Sequence, residues 1–336
     1  MAVATKLKRY PLHGHVQSRF LACGRRRKGR RSAVVKPVAS GSTPRLIQGK
    51  REARLFYAFL SKVYDTIVNP FHWTEDMRSA ALEPLDLAAG QRVYDVGGGT
   101  GFTTLGVLER GVHPEDVTLV DQSEGQMEKA RAKSALRKVT VEYGDAENLK
   151  NLATDSADRY VSAGSIEYWP SPQRGICEAY RVIKPGGKAC IIGPVHPTNS
   201  LSAFFADLWM LFPTEQEYKD WFDAAGFEDV TLERIGPKWY EGDRTHGLIM
   251  GCSVVGVKKA AGESPGAEAA VAATTSDDSA ASEAEDSANT TVGVVMRSLL
   301  GSVGGFYYFL LPIFFYIRWL LKVLAKRVTT PSSPSS

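Results

Sequence analysis

Positions 93–106 read VYDVGGGTGFTTLG, and Gly97, Gly98, Gly99 and Gly101 leave four of five consecutive positions without a side chain. The run before them is β-branched and aromatic, as strands are, and the run after them reads as the first turns of a helix. A strand that turns into a helix through glycines lets its backbone pass close to something that a Cβ would hold off. A phosphate cradle of the P-loop kind needs a lysine after the last glycine, and none follows here. The dinucleotide fingerprint needs GxGxxG or GxGxxA, but the sixth position is Phe102 counted from Gly97 and Thr104 counted from Gly99. Both phosphate-centred readings therefore fail.

The rest of the central region agrees with a strand-to-helix bend. Strand patterns fall at 92–96, 117–121, 138–143, 158–163 and 188–193, with helical patterns near 102–110, 123–135 and 172–183. Two more strand-like runs, 228–235 and 247–257, follow a helical stretch ending in DWFDAAGF. This alternation predicts βαβ units and an α/β fold with a mostly parallel, seven-stranded sheet. In such a fold Asp121, in VTLVDQS, ends the second strand, where an acid accepts hydrogen bonds from two ribose hydroxyls. Asp145, in YGDAENL, closes the third strand, within reach of an adenine amine. No Lys or Arg stands between Asp95 and Leu108.

Charge separates the ends from the middle. The first 50 residues hold thirteen Lys or Arg and no acid, which leaves about −9 for the remainder of a chain whose net charge is +4. The basicity belongs to the tail, so a nucleic-acid partner is not expected. Residues 1–45 are Arg-rich, acid-free and without an apolar core, the composition of an organelle transit peptide. A basic arm or nuclear signal is the alternative, and the tail by itself does not separate chloroplast from mitochondrion. The four cysteines, Cys23, Cys177, Cys190 and Cys252, show no metal-ligand spacing, and no metal is expected.

Residues 46–258 form the expected folded domain. Residues 259–291 are Ala, Ser, Glu and Asp without aromatics, and predict an acidic disordered linker. Then 298–317, SLLGSVGGFYYFLLPIFFYI, carries no charge, and twenty helical residues span roughly 30 Å, the thickness of a hydrocarbon core. Arg297 precedes this run and Arg318, Lys322, Lys326 and Arg327 follow it. The expectation is one transmembrane anchor with a basic flank over 292–328, then a disordered tail over 329–336.

DVGGGTG, VDQS, GDAE, DRYVSAGSIEYW and VIKPGG occur in the order and spacing of class I S-adenosylmethionine-dependent methyltransferases, which the chain resembles. The resemblance implies a Rossmann-like fold and S-adenosylmethionine as methyl donor. Its contacts would be Asp95, Gly97, Gly99, Gly101, Asp121, Gln122, Asp145 and Ala146, with Tyr64 covering the methionine end. That cofactor has no pyrophosphate and carries a cationic sulfur, which carboxylates and aromatic faces suit better than basic residues do. Further stretches, FYAFLSKVYDTIVNPFHWTEDMR, DLWMLFPTEQEYKDWFDAAGF and RIGPKW followed by HGLIMGCSV, are similar to the plastid 2-methyl-6-phytyl-1,4-benzoquinol methyltransferase family. This implies ring C-methylation of prenylated benzoquinols, phytyl and solanyl, for tocopherol and plastoquinone. It also implies a chloroplast transit peptide and a single-pass protein of the inner envelope membrane. A methyltransferase of another membrane lipid, and a non-catalytic envelope protein that binds the same cofactor, are the competing readings.

Methylating a quinol carbon calls for a base that draws off a phenol proton. Glu167, in GSIEYW beyond the fourth strand, is one candidate. His72 and His246, in stretches shared with the family, are others, and His196 follows the fifth strand. Each has a plain structural alternative, as have Tyr168 and Trp169 as stacking partners for the ring. LSAFFADLWMLF, 201–212, reads as a groove or lid for the prenyl chain or as an ordinary core helix.

Overall fold

A computed structural model of the chain describes residues 73–237, 239–240, 247–272 and 291–329, all within one unit, Pro37–Ser336. Tyr64, His72 and His246, the basic segment 1–45, the middle of the acidic stretch and the end of the C-terminal tail lie outside the described residues.

The expected strands and helices are present. Their order is α1 (Glu75–Leu82), β1 (Val93–Val96), α2 (Phe102–Glu109), β2 (Val117–Asp121), α3 (Glu124–Ala132), β3 (Thr140–Tyr143) and β4 (Ala157–Ala163). Then come α4 (Pro172–Val182), β5 (Ile183–Gly193), α5 (Ser200–Trp209), α6 (Glu215–Ala225), β6 (Glu228–Ile235), β7 (Gly251–Val257) and α7 (Thr291–Thr329). The sheet has seven strands in the order β3-β2-β1-β4-β5-β7-β6, parallel except for β7, which runs antiparallel to both neighbours. All four residues of β1 are buried, as expected of a central parallel strand covered on both faces, whereas β3 at the edge is not. Val93, Leu119 and Val161 pack on one face under α1, α2 and α3, and Tyr94, Val96 and Tyr160 pack on the other under α4 and α6. Chain order reverses between β1 and β4, so their carboxyl ends open a crevice for a ligand.

Two boundaries differ from expectation. The acidic stretch does not leave the domain at 259. Lys258, wholly buried, donates to Asp155 Oδ1 at 2.6 Å and to the Gly262 carbonyl at 2.7 Å, and lies 4.6 Å from the Tyr180 ring centroid. Ser264 Oγ donates to the Ala225 carbonyl at 2.8 Å, satisfying the end of α6, and Ala270 is buried in the core beneath. Composition missed this because small residues bury little surface each yet fit where larger ones would not.

The C-terminal helix also does more than hang from a tether. One face of α7 packs along α5. A Cβ on Gly304 would lie 2.6 Å from the Phe205 carbonyl oxygen, and one on Gly305 would lie 3.1 Å from the Trp209 ring, so the glycine pair sets the closeness of the two helices. Tyr307 stacks on Phe205 at 4.3 Å and shares a 2.8 Å hydrogen bond with Ser202, while Tyr308 donates to the Ser202 carbonyl at 2.7 Å and stacks on Trp209. The segment Val295–Lys326 remains long and apolar enough to cross a membrane.

Candidate active site

The parallel strands β1 to β4 each deliver one short loop to the same edge of the sheet. Gly97 to Thr100 after β1, Asp121 to Ser123 after β2, Gly144 to Glu147 after β3 and Ala163 to Ser165 after β4 line a cleft of about 930 Å³. Trp73, Phe102, Tyr168 and Trp169 add aromatic walls. Among the described residues the lining holds three carboxylates, Asp121, Asp145 and Glu147, and no Lys, Arg or His.

The glycines divide the work. Gly99 sits at the apex with φ +56°, and a Cβ there would meet nothing nearer than 3.9 Å, so it would point into the open cleft. Gly101 begins α2 with φ +84°, and its Cβ would strike Leu136 Cδ1 at 2.3 Å. It is therefore a packing glycine that does not line the cleft, while Gly97, with φ +72° and a would-be Cβ 2.3 Å from Ser165 Oγ, does both.

Asp121 is half-buried at the tip of β2. Its Oδ2 accepts the Gly99 N–H at 2.9 Å and its Oδ1 accepts the Ser123 N–H at 2.8 Å, so one carboxylate ties the glycine bend to the start of α3. Burial holds it above the ordinary aspartate range, against the pull of these amides. Gln122 and Asp145 line the cleft beside it, with Ala146 next to them, and Asp145 Oδ1 accepts the Glu147 N–H at 3.1 Å. Asp95 lies elsewhere: wholly buried in β1 beneath the bend, it accepts Thr104 Oγ1 at 2.5 Å through Oδ2, and its Oδ1 has no partner among the described residues. Burial pushes it up to about 7, with Asp121 adding to the shift. It supports the loop and start of α2 from below without facing the cleft.

Sequence reasoning passed over Gln126. It lies in the first turns of α3, is buried, lines the cleft and has an Oε1 with no partner among the described residues. The usable signal was its place five residues beyond Asp121, on the helix that starts at the Asp121 loop. A glycine apex, an unpartnered amide oxygen, a set of carboxylates and the absence of cations among the described residues fit a nucleoside bearing a positive sulfur, and fit a phosphate poorly.

Beyond this cleft lies a second cavity of about 1180 Å³, lined mostly by apolar side chains. Trp73, Ala163, Gly164 and Tyr168 belong to both, so the two spaces share a wall. Glu167, in the turn after β4, reaches only the second. It is buried, its Oε2 has no partner among the described residues, and burial raises its carboxyl to about 8. A buried acid with one oxygen unpartnered beside an apolar chamber is costly to keep and is the kind of group that catalysis uses. His196 lines neither space and lies 3.2 Å from Asp207 through Nε2. His72 immediately precedes the shared wall residue Trp73, and Leu248, two positions after His246, lines the second cavity. Trp169 lines only the first space and donates Nε1–H to Ser165 Oγ at 2.8 Å.

Residues 94–191 match a family model described as a methyltransferase domain. The chain is 58% identical over 278 residues to the chloroplastic 2-methyl-6-phytyl-1,4-hydroquinone methyltransferase 2 of Oryza sativa subsp. japonica, covering 82% of this chain and 76% of the rice protein. It is also 58% identical to the chloroplastic 2-methyl-6-phytyl-1,4-hydroquinone methyltransferase of Spinacia oleracea, over 82% of this chain and 77% of that one. Among solved structures, a chain of the complex between the Haloferax volcanii Trm112 methyltransferase activator and its methyltransferase partner superposes with a TM-score of 0.53. That match has 20% identity, covers 61% of this chain and 98% of the other, and speaks for the fold alone.

Proposed function

Because the chain belongs to the family of chloroplastic 2-methyl-6-phytyl-1,4-hydroquinone methyltransferases, we propose that it methylates a ring carbon of that quinol and of its solanyl analogue. In this reading it serves tocopherol and plastoquinone synthesis, and S-adenosylmethionine is the donor. The observation that carries the proposal is the shared wall. Among the described residues, a carboxylate-lined cleft without Lys, Arg or His lies against an apolar chamber lined by Glu167, a buried acid whose Oε2 has no partner.

When bound, S-adenosylmethionine supplies an electrophilic methyl group on a positive sulfur. Gly97, Gly99, Asp121, Gln122, Asp145 and Ala146 hold it, joined by Gln126, while Asp95 and Gly101 keep the bend in shape and Tyr64 covers its methionine end. Glu167 accepts the proton of a ring hydroxyl, which pushes electron density onto the ortho carbon; once methylated, that carbon gives up its own hydrogen as a proton and the ring hydroxyl regains one. A positioned base of this kind contributes about 10²–10⁴-fold. The apolar walls exclude water and keep the ring against Tyr168. His72 and His246 remain candidates for a second proton-handling group.

Residues 1–45 act as a chloroplast transit peptide in this proposal, and 292–328 place the enzyme in the inner envelope membrane as a single-pass protein. Its substrate is dissolved in that bilayer. The experiment is methyl transfer from labelled S-adenosylmethionine to 2-methyl-6-phytyl-1,4-hydroquinone, with a demethylated menaquinol and a sterol in parallel. Label in the phytyl quinol product supports the proposal, and label only in another lipid, or in none, overturns it.

A further inference from the structure

The C-terminal helix contributes Tyr308, Leu311 and Pro312 to the wall of the apolar chamber, and Tyr308 packs against the cluster that holds the shared wall residue Tyr168. At 100° per residue these three fall on one side of α7, together with Phe315, whose ring meets Tyr240 at 5.4 Å. Val303, Phe306, Leu310, Phe314 and Ile317 fall on the opposite side and are all exposed. The partner helix α5 repeats the division. Trp209 at its end lines the chamber, and Leu201 and Phe204 on its outer surface are 59% and 61% exposed. The two faces run side by side along one helix: the 32 residues of Val295–Lys326 extend about 48 Å, and the uncharged run 298–317, which holds Tyr308, Leu311 and Pro312, accounts for roughly 30 Å of it.

From these facts we infer that α7 is a wall of the site for the substrate's prenyl tail, with Leu311 setting which tails fit. The aromatic head lies at Glu167, and the isoprenoid chain runs along Leu311, Pro312 and Trp209. The outer face of the same two helices meets lipid, so the tail passes from bilayer to chamber beside a single helix. Ser202 fixes the arrangement through two hydrogen bonds, one its hydroxyl shares with the Tyr307 hydroxyl and one its carbonyl accepts from the Tyr308 hydroxyl. This inference rests on the quinol reading above, and adds that the helix chooses among quinols.

The test uses the full chain in lipid nanodiscs and two substrates: 2-methyl-6-phytyl-1,4-hydroquinone and its analogue with a single five-carbon prenyl unit. Wild-type protein is assayed first, and failure to methylate either substrate counts against the quinol reading. With that established, Leu311→Trp should lower kcat/KM for the phytyl substrate at least tenfold more than for the short one. Leu310→Trp, on the lipid side, should change the ratio less than twofold. Leu311→Ala, which removes volume instead of adding it, guards against a misfolded Trp variant and should also shift the ratio more than threefold. Equal loss on both substrates, or an unchanged ratio in both Leu311 variants, overturns the role given to the helix.

Discussion

Asp121 Oδ2 accepts the backbone N–H of Gly99 at 2.9 Å, so the acid at the tip of β2 holds the apex of the glycine bend in place. Its second oxygen holds Ser123, and the carboxylate still has lone pairs facing the cleft. Removing it therefore has two consequences, one for the ligand and one for the loop.

The two are separable by substitution. Asp121→Asn keeps an acceptor for Gly99 but loses the charge, and should weaken S-adenosylmethionine binding about tenfold, the value of roughly 1.4 kcal/mol. Asp121→Ala loses both and should weaken it a hundredfold or more. Titration calorimetry reads each, and equal affinities for wild type and Asp121→Ala would remove Asp121 from the site.

Glu167 has its carboxyl raised to about 8 by burial. A base must be ionised to accept a proton, so kcat should climb with pH up to about 8 and level off above it. Glu167→Gln should lower kcat by about 10²–10⁴-fold with little change in cofactor affinity. Stability moves the other way. The unfolded chain releases this proton near the ordinary 4.5 while the folded chain keeps it, so wild-type stability declines between about pH 4.5 and 8. Glu167→Gln should accordingly raise Tm at pH 8.5 by roughly 3 °C or more, and barely change it at pH 5. A variant with normal turnover would remove the base.

Asp95, raised to about 7 and buried below the bend, is part-protonated at neutral pH. A cationic ligand in the cleft favours its ionised form, so binding releases a proton and affinity rises as pH passes through 7. Between pH 6 and 8 the Kd for S-adenosylmethionine should fall about threefold to tenfold, by the usual size of such Coulomb shifts. Proton release measured in buffers of different ionisation enthalpy checks this, and Asp95→Asn should flatten the profile.

The two inner glycines should fail differently. Gly101→Ala drives a methyl to within 2.3 Å of Leu136 at φ +84°, and should cost about 1–3 kcal/mol of stability in urea unfolding. Gly99→Ala has room inside the protein and should cost only about 1–2 kcal/mol, from its left-handed backbone. Its larger effect should be a more than tenfold loss of cofactor affinity, because its methyl occupies the cleft.

What could be read in the sequence was whatever depends on neighbours along the chain. The β-branched runs located the strands to within a few residues, except that β5 starts at Ile183, since Lys184 to Lys188 did not look like strand. Asp121 and Asp145 were legible because an acid at a parallel strand's carboxyl end has one place to go. Contacts between distant segments were not. Asp95 carries the same residue type as Asp121, and only the pleat of β1 tells that it points beneath the loop and towards Thr104. Ser264 was hidden in an Ala- and Glu-rich run and Lys258 stood at its edge with a partner a hundred residues away, and the docking of α7 on α5 depends on Gly304 and Gly305 meeting Phe205 and Trp209. The residues at 64, 72 and 246 belong to stretches outside the described ones, so their roles stay with the proposal.

Trp73, Ala163, Gly164 and Tyr168 each serve both chambers. A substitution there to admit a different acceptor would disturb the donor's room as well, which makes these positions poor places to retool the enzyme. Freedom to diversify lies on the remote side, at Met210, Leu248 and the helix contributed by the chain's end, none of which the donor's cleft uses. Descendants of this fold with new acceptors should therefore differ in their last helix long before they differ in their glycines.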